Sequence, residues 1–259
     1  MDPFSQLILT ISVTSFFSFQ WLFHKVSPWI SLRISPGFIS LTDKQKVEWN
    51  STVSTFHALL VGLFCLYILF FDDAVNEDPV GDPTLVKTNV AITTGYLISL
   101  LLIFYYWKAI GDKFFVVHHL AALYAYYYVL GQGMLPYFAN FRLLAEFSTP
   151  CVNQWFFEVL GYPKSSRPNM ANGVAMAVVF FMVRIAVIPV YYSRMYAVYG
   201  TEAFYLVPWG GRVAWIGSSI CLDIMNVMWM HKIARGCYKV LRSARKNKVD
   251  TLQENGKSD

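Results

Sequence analysis

Stretches of about 20 residues with almost no charge recur along this chain, and that is the length a helix needs to cross the hydrocarbon core of a bilayer. Nothing else in the sequence restricts the fold as much. A backbone in lipid must satisfy its own N–H and C=O groups, so the choice is between helices and a closed barrel. The apolar runs are continuous rather than alternating with period two, which excludes the barrel. Composition agrees: 56% of the 259 residues are apolar and 17% aromatic, while only 14% are charged, against about 25% in a soluble domain. The fold class is an all-α polytopic membrane protein.

Hydropathy places seven spans, near 7–26, 52–71, 90–107, 114–130, 136–160, 173–192 and 213–231. The fifth is interrupted by Arg142, Glu146 and Pro150, which leaves a count of six or eight open. The 1–39 stretch reads as an N-terminal transmembrane helix and loop, 40–240 as the main helical domain, and 241–259 as a polar, disordered tail. Under this count Lys25, Arg33, Lys44, Lys46, Lys108, Lys113, Lys164, Arg167 and the basic tail from Lys232 share one face. Only Lys87, Arg194 and Arg212 lie on the other. The excess marks the cytosolic side, which puts the N-terminus in the lumen and the C-terminus in the cytosol. The sequon Asn50-Ser51-Thr52 then lies at the cytosolic mouth of the second span, out of reach of glycosylation. Cys65, Cys151 and Cys221 sit in apolar stretches and Cys237 in the basic tail, so no disulfide is expected. The net charge of +5 calls for no nucleic acid, because its tail cluster follows a span directly and meets anionic lipid there.

Ionisable side chains at bilayer depth cost several kcal/mol unless paired or solvated, so the few present are the site candidates. His118 and His119 are adjacent in the fourth span. Successive helical residues differ by about 100°, so the two rings face different surroundings. An imidazole serves as base, nucleophile or ligand. Arg142 and Glu146, at i and i+4, are placed to pair with each other. Pro150 frees a backbone carbonyl near Ser148, Thr149 and Asn153. Asp223, Asn226 and Trp229 recur every three residues and share a stripe of the last span. His57, in the second span, and Arg184, in the sixth, with Glu146, Asp223 or an anionic ligand as partner, complete the set. No spacing of metal ligands is present, and no metal or bound cofactor is expected.

Lys46-Val47-Glu48-Trp49-Asn50, Val53 to His57, Gly95-Tyr96-Leu97-Ile98-Ser99, Asp112-Lys113-Phe114, His118-His119, Glu146 to Asn153 and Asp223 to Trp229 occur in an order that resembles the TLC-domain family. The resemblance runs from about residue 40 to 240. It implies a multispan protein of the endoplasmic reticulum, with six helices bundled around a lipid-sized cavity and one peripheral helix. In the ceramide synthase branch the paired histidines act in acyl transfer from acyl-CoA, a role that would fall here on His118 and His119. This chain departs from that branch. Leu100 and Leu101 follow the Gly-Tyr-Leu-Ile-Ser stretch where an acidic residue is often found, and Phe141 to Pro150 replaces a segment with several aspartates. Its Glu-Phe-Ser-Thr-Pro-Cys-Val-Asn form is similar to the branch linked to lipid homeostasis.

The leading expectation is therefore a membrane protein that contributes to lipid composition by holding a lipid or acyl chain among its helices, with His57, Arg142, Glu146, Asn153, Asp223 and Asn226 as polar cavity residues. The alternatives are an acyl-CoA-dependent acyltransferase using His118 and His119, and a membrane cargo receptor acting through its loops and tail. The expected partner is a membrane lipid, and the sequence leaves a homo-oligomer open.

Overall fold

A computed structural model describes residues 2–49, 52–73, 75, 83–107, 113–153 and 166–255. The sequon residues Asn50 and Ser51, the motif residue Asp112, and the end of the fifth apolar segment lie outside these. Among the described residues there are helices and no strands.

The chain opens with α1 (Pro3–Trp21), capped by Asp2, whose carboxylate accepts from Ser5 N–H at 3.0 Å, with Pro3 at the first helical position. A π-turn (Leu22–Val26) joins α1 to α2 (Ser27–Ile34). Its cause lies in the sequence. Pro28 has no N–H to offer the His24 carbonyl, and Ser27 N–H bonds instead to Leu22 O, five residues back. A 3₁₀ turn (Pro36–Ser40) and α3 (Asp43–Trp49) reverse the chain into α4 (Thr52–Phe71). Then follow α5 (Thr84–Tyr106) and α6 (Lys113–Gln132).

Beyond a tight reversal the fifth apolar segment is not one helix. It comprises α7 (Pro136–Leu143), a 3₁₀ turn (Leu144–Ser148) and α8 (Thr149–Val152). Leu135, the non-glycine residue with positive φ, turns the chain into it at φ 56°. At the rises of the two helix types, 136–152 covers about 28 Å, close to a bilayer core of about 30 Å. This broken segment is the most enclosed part of the fold. Tyr137 to Phe141 are all buried, because α7 lies among α4, α5 and α6 and the 3₁₀ turn packs on α4. The chain continues through α9 (Arg167–Phe180), a second π-turn (Phe181–Ile185), α10 (Ile188–Val198) and α11 (Glu202–Leu206) to α12 (Trp209–Asn255). Again a proline explains the π-turn. Pro189 denies the Ile185 carbonyl its partner, and Ala186 N–H reaches Phe181 O at 2.8 Å.

Six helical runs are long and apolar enough to cross a membrane: Pro3–Ile34, Asp43–Phe71, Thr84–Tyr106, Lys113–Gln132, Arg167–Val198 and Trp209–Lys239. They agree with six of the seven expected spans; the broken segment stands in place of the other. α12 differs from expectation at its end, being helical to Asn255 where composition predicts a disordered tail. No glycine or proline interrupts the chain between Gly236 and Gly256, and Lys, Arg, Leu, Gln and Glu extend an existing helix at low cost.

The N-terminal helix docks on α5 by close backbone approach. Ser15 Oγ donates to Ile92 O at 2.6 Å and Gln20 Nε2 to Ser99 O at 3.2 Å. Between these bonds sits Gly95, where a Cβ would overlap Ser12 O, Phe16 N and Ser15 Cβ. A small residue at a membrane helix crossing permits this approach.

Candidate functional site

The broken segment carries polar side chains to the centre of the bundle. A helix of α4 or α6 type would answer its backbone groups internally. The 3₁₀ turn instead leaves Ala145 O free to accept from Arg184 Nη2 at 3.0 Å. Arg184, aimed inward by the second π-turn, also donates from Nε to Ser148 Oγ at 2.8 Å and from Nη1 to Asn226 Oδ1 at 3.2 Å. Its guanidinium lies over Phe180, 5.0 Å from the ring centroid. The sequence offered Glu146 or Asp223 as its partner. The bonds of Arg184 run to neutral acceptors.

Arg142 does not pair with Glu146 as the i, i+4 spacing predicts. It makes a bidentate bond to Asp223, with Nη1–Oδ1 at 2.5 Å and Nη2–Oδ2 at 2.9 Å, and its guanidinium lies 3.9 Å from the Tyr191 ring centroid. The physical reason is direction. Arg142 ends a helix and Glu146 sits in the following 3₁₀ turn, where four residues exceed one turn and the side chains no longer stack. Glu146 accepts instead from Thr149 Oγ1 at 3.0 Å, and its Oε2 is 3.9 Å from Nδ1 of His57.

The stripe on α12 is as expected, and each member meets a different element. Asp223 holds Arg142, Asn226 holds Arg184, and Trp229 touches His118 edge-on with ring centroids 5.3 Å apart. The last span thus ties together α7, the second π-turn and α6.

The histidines divide their roles as their 100° separation requires. His119 Nδ1 lies 2.6 Å from Phe115 O, one helical turn back, and its ring tilts on Phe115. His118 lines a void with Arg142, Glu146, Arg184 and Asn226, and its Nδ1 is buried without a hydrogen-bond partner among the described residues. His57 is fully buried and stacked on Tyr96 at 3.7 Å, and among the described residues both ring nitrogens are without a hydrogen-bond partner apart from the Glu146 approach. Asn153 is more peripheral and donates to Thr55 Oγ1 at 3.0 Å.

The void among these groups has a volume of about 50 Å³, and a second of the same size lies beyond Arg142 beside Tyr191 and Ser219. Each admits one or two waters. Neither has the roughly 300 Å³ of an ordinary ligand site, so among the described residues the space around this polar cluster is smaller than the lipid-sized cavity implied by resemblance. Two cations and two carboxylates stand around the first void and its neighbours. The array is charge-balanced, as burial in a low dielectric demands. Among the described residues no three His, Cys, Asp or Glu side chains gather to hold a metal ion.

Two features of the site escaped the sequence reading: the π-turn that aims Arg184 inward, and Tyr191, which stacks on Arg142, bonds Ser219 at 2.8 Å and accepts from Trp215 at 3.1 Å. Pro189 is the signal for the first. The second has none, since its partners are 24 to 49 residues away in sequence.

Comparison with known proteins fits this geometry. A family model described as the TLC domain matches residues 49–235, which hold all the site residues named above. The chain is 67% identical over 261 residues to TLC domain-containing protein 4-B of Xenopus laevis, covering 99% of both chains. It is 52% identical over 263 residues to TLC domain-containing protein 4 of Homo sapiens, covering all of both. Topoisomerase I damage affected protein 4 of Saccharomyces cerevisiae is 26% identical over 251 residues, covering 92% of this chain and 87% of that one. No solved structure matches. With so much of its length inside the matched domain and such similarity along the whole of it, this multispan membrane protein belongs to the TLC domain family.

Proposed function

We propose that this protein contributes to membrane lipid composition by receiving a lipid within its helix bundle, with the lipid's polar end at the Arg184–Glu146–His118 pocket and its acyl chain between the helices. The observation that carries the reading is the buried, charge-balanced cluster at bilayer depth. A purely packed bundle needs no such array, and each charge in it costs free energy that only a partner returns. Because the pocket holds about 50 Å³, acyl entry requires the surrounding helices to separate. The broken segment is the natural place for that, being joined by 3₁₀ and single-turn elements rather than one continuous helix.

A second reading, acyl transfer from acyl-CoA, is favoured by one feature. His118 borders the pocket and its Nδ1 carries no hydrogen bond among the described residues, and an uncommitted imidazole is what a base or nucleophile requires. His119 is committed to a backbone carbonyl. That bond occupies only Nδ1 and leaves Nε2 with its lone pair, but His119 does not line the pocket, so in this reading the chemistry falls on His118.

The protein resides in the endoplasmic reticulum membrane with its N-terminus lumenal and its C-terminus cytosolic. The lysine and arginine distribution supports this, and the reading takes the broken segment as a seventh crossing beside the six membrane-length helices. Glycosylation of Asn50 in cells would overturn it. The functional test is lipidomics with a labelled fatty acid in cells lacking the protein, re-supplied with wild type, His118→Ala or Arg184→Gln at matched levels. Wild type restores a defined lipid class and Arg184→Gln does not. If His118→Ala restores it fully, acyl transfer through that histidine is excluded. If Arg184→Gln also restores it, the lipid-receiving reading fails.

A further inference from the structure

The polar atoms around the interior pocket fall into two sets, those already bonded and those still open. Arg142 commits Nη1 and Nη2 to Asp223, and Arg184 commits Nε to Ser148, Nη1 to Asn226 and Nη2 to Ala145 O. Every nitrogen of the Arg184 guanidinium therefore has a protein acceptor. The open atoms are of another kind. Glu146 accepts from Thr149 through Oε2, while its Oε1 carries no hydrogen bond among the described residues and 21% of the side chain stays accessible. Asn226 uses Oδ1 on Arg184, and its Nδ2 donates to no described group. All these residues line the void. Unlike His118 Nδ1, neither Glu146 Oε1 nor Asn226 Nδ2 is buried out of reach of a water-sized group.

A charged acceptor and a neutral donor on one small void restrict what the void can take. A carboxylate or phosphate brought there finds both guanidiniums engaged and a carboxylate oxygen facing it. An ammonium satisfies Glu146 but has nothing to offer Asn226 Nδ2, and it leaves an otherwise balanced buried array one charge in excess. An ester can accept but has no hydrogen to give. A hydroxyl donates and accepts, and it adds no charge. It also needs about the room of one water, which a void of about 50 Å³ provides as it stands.

We propose that the lipid received by this pocket is an uncharged alcohol, its hydroxyl donating to Glu146 Oε1 and accepting from Asn226 Nδ2, and that the pocket discriminates against head groups of either charge. This rests on the lipid-receiving reading above and adds the chemical class of the head group to it. Glu146 is the residue that selects: it is the open acceptor, and its charge repels an anion.

The test uses four ligands that share one chain and differ at the polar end: oleyl alcohol, oleylamine, oleic acid and methyl oleate. Each, tritiated, is titrated into the full chain in detergent micelles at about pH 9, where the acid is ionised and the amine still protonated, and bound ligand is counted after gel filtration. Oleyl alcohol binds about tenfold more tightly than any of the other three. Glu146→Gln shifts two ligands in opposite directions. Oleyl alcohol weakens about tenfold as a charge-assisted bond becomes a neutral one, while oleic acid, no longer facing a carboxylate, binds severalfold more tightly. A damaged fold would weaken both together. If Glu146→Gln does not fold, the order of the four ligands on the unaltered chain decides. Oleic acid, oleylamine or methyl oleate binding as tightly as oleyl alcohol overturns this inference and leaves the lipid-receiving reading standing, as does unchanged alcohol binding in Glu146→Gln. Retention of none of the four above that of empty micelles overturns both.

Discussion

The interior pocket and a cavity of about 320 Å³ at the end of the bundle, lined by Phe23, Phe38, Val47 and Trp107, both adjoin a π-turn upstream of a proline, yet they are built differently. Inside, the cations are answered: Arg142 by Asp223 and Tyr191, Arg184 by Ser148, Asn226 and Ala145 O, with about 50 Å³ left over. At the end of the bundle the space is larger and its floor, Phe23, Phe38 and Val47, is apolar. The difference follows from surroundings. Hydrocarbon offers no water to an unpaired charge, so each interior cation has partners, while neutral groups such as His118 Nδ1 and the ring nitrogens of His57 lack a hydrogen-bond partner among the described residues. A ligand reaching those cations must therefore displace existing bonds, while one entering the end cavity displaces none of them.

The interior half of this comparison breaks most severely at Asp223. Asp223→Ala leaves the Arg142 guanidinium buried without its carboxylate, a loss of about 3–5 kcal/mol. A large fall in the thermal midpoint in detergent micelles is expected. The double variant Arg142→Met/Asp223→Leu recovers much of it, because two apolar groups can replace a buried pair at little net cost. If Asp223→Ala melts like wild type, the ion pair is not the keel of the bundle.

Much of this arrangement was legible in the sequence, for reasons that can be assigned. Apolar runs of membrane length gave the spans. Three-residue spacing placed Asp223, Asn226 and Trp229 on one face of α12, since a regular helix preserves periodicity. Where regularity ends, legibility ends with it. The expected Arg142–Glu146 pair assumed that the helix continues past Leu143, and the 3₁₀ turn sends Arg142 to a partner 81 residues away. The end cavity could not be read at all. It joins Phe23, Phe38 and Val47 to Trp107, and no local pattern encodes that junction.

A smaller effect tests how the two regions are joined. Gly95 lets α5 approach α1, the helix that carries the end cavity at its far end. Gly95→Ala places a methyl against Ser12 O and Phe16 N, which are backbone atoms and cannot rotate away. Overpacking of this kind costs about 1–3 kcal/mol. Its signature is local: cross-linking between cysteines introduced on α1 and α5 falls, while cross-linking between α4 and α5 is retained. Equal loss at both pairs would mean that α1 and the family-matched domain form one cooperative unit.

The smallest stability effects belong to the two histidines, and they sharpen the comparison most because stability and function move in opposite directions. His119→Ala removes the bond to Phe115 O and the ring contact beside it, a cost of about 1 kcal/mol on folding. His118→Ala removes an edge contact to Trp229, also worth about 1 kcal/mol, but relieves a buried nitrogen that has no partner. The thermal midpoint of His118→Ala should therefore lie at or above that of His119→Ala. In the labelled fatty-acid assay the order reverses if the pocket performs acyl transfer: His118→Ala loses the lipid signal and His119→Ala keeps it. If both variants keep the signal and only His119→Ala melts early, the histidines are packing groups, and the lipid-receiving role rests on Arg184 and Glu146.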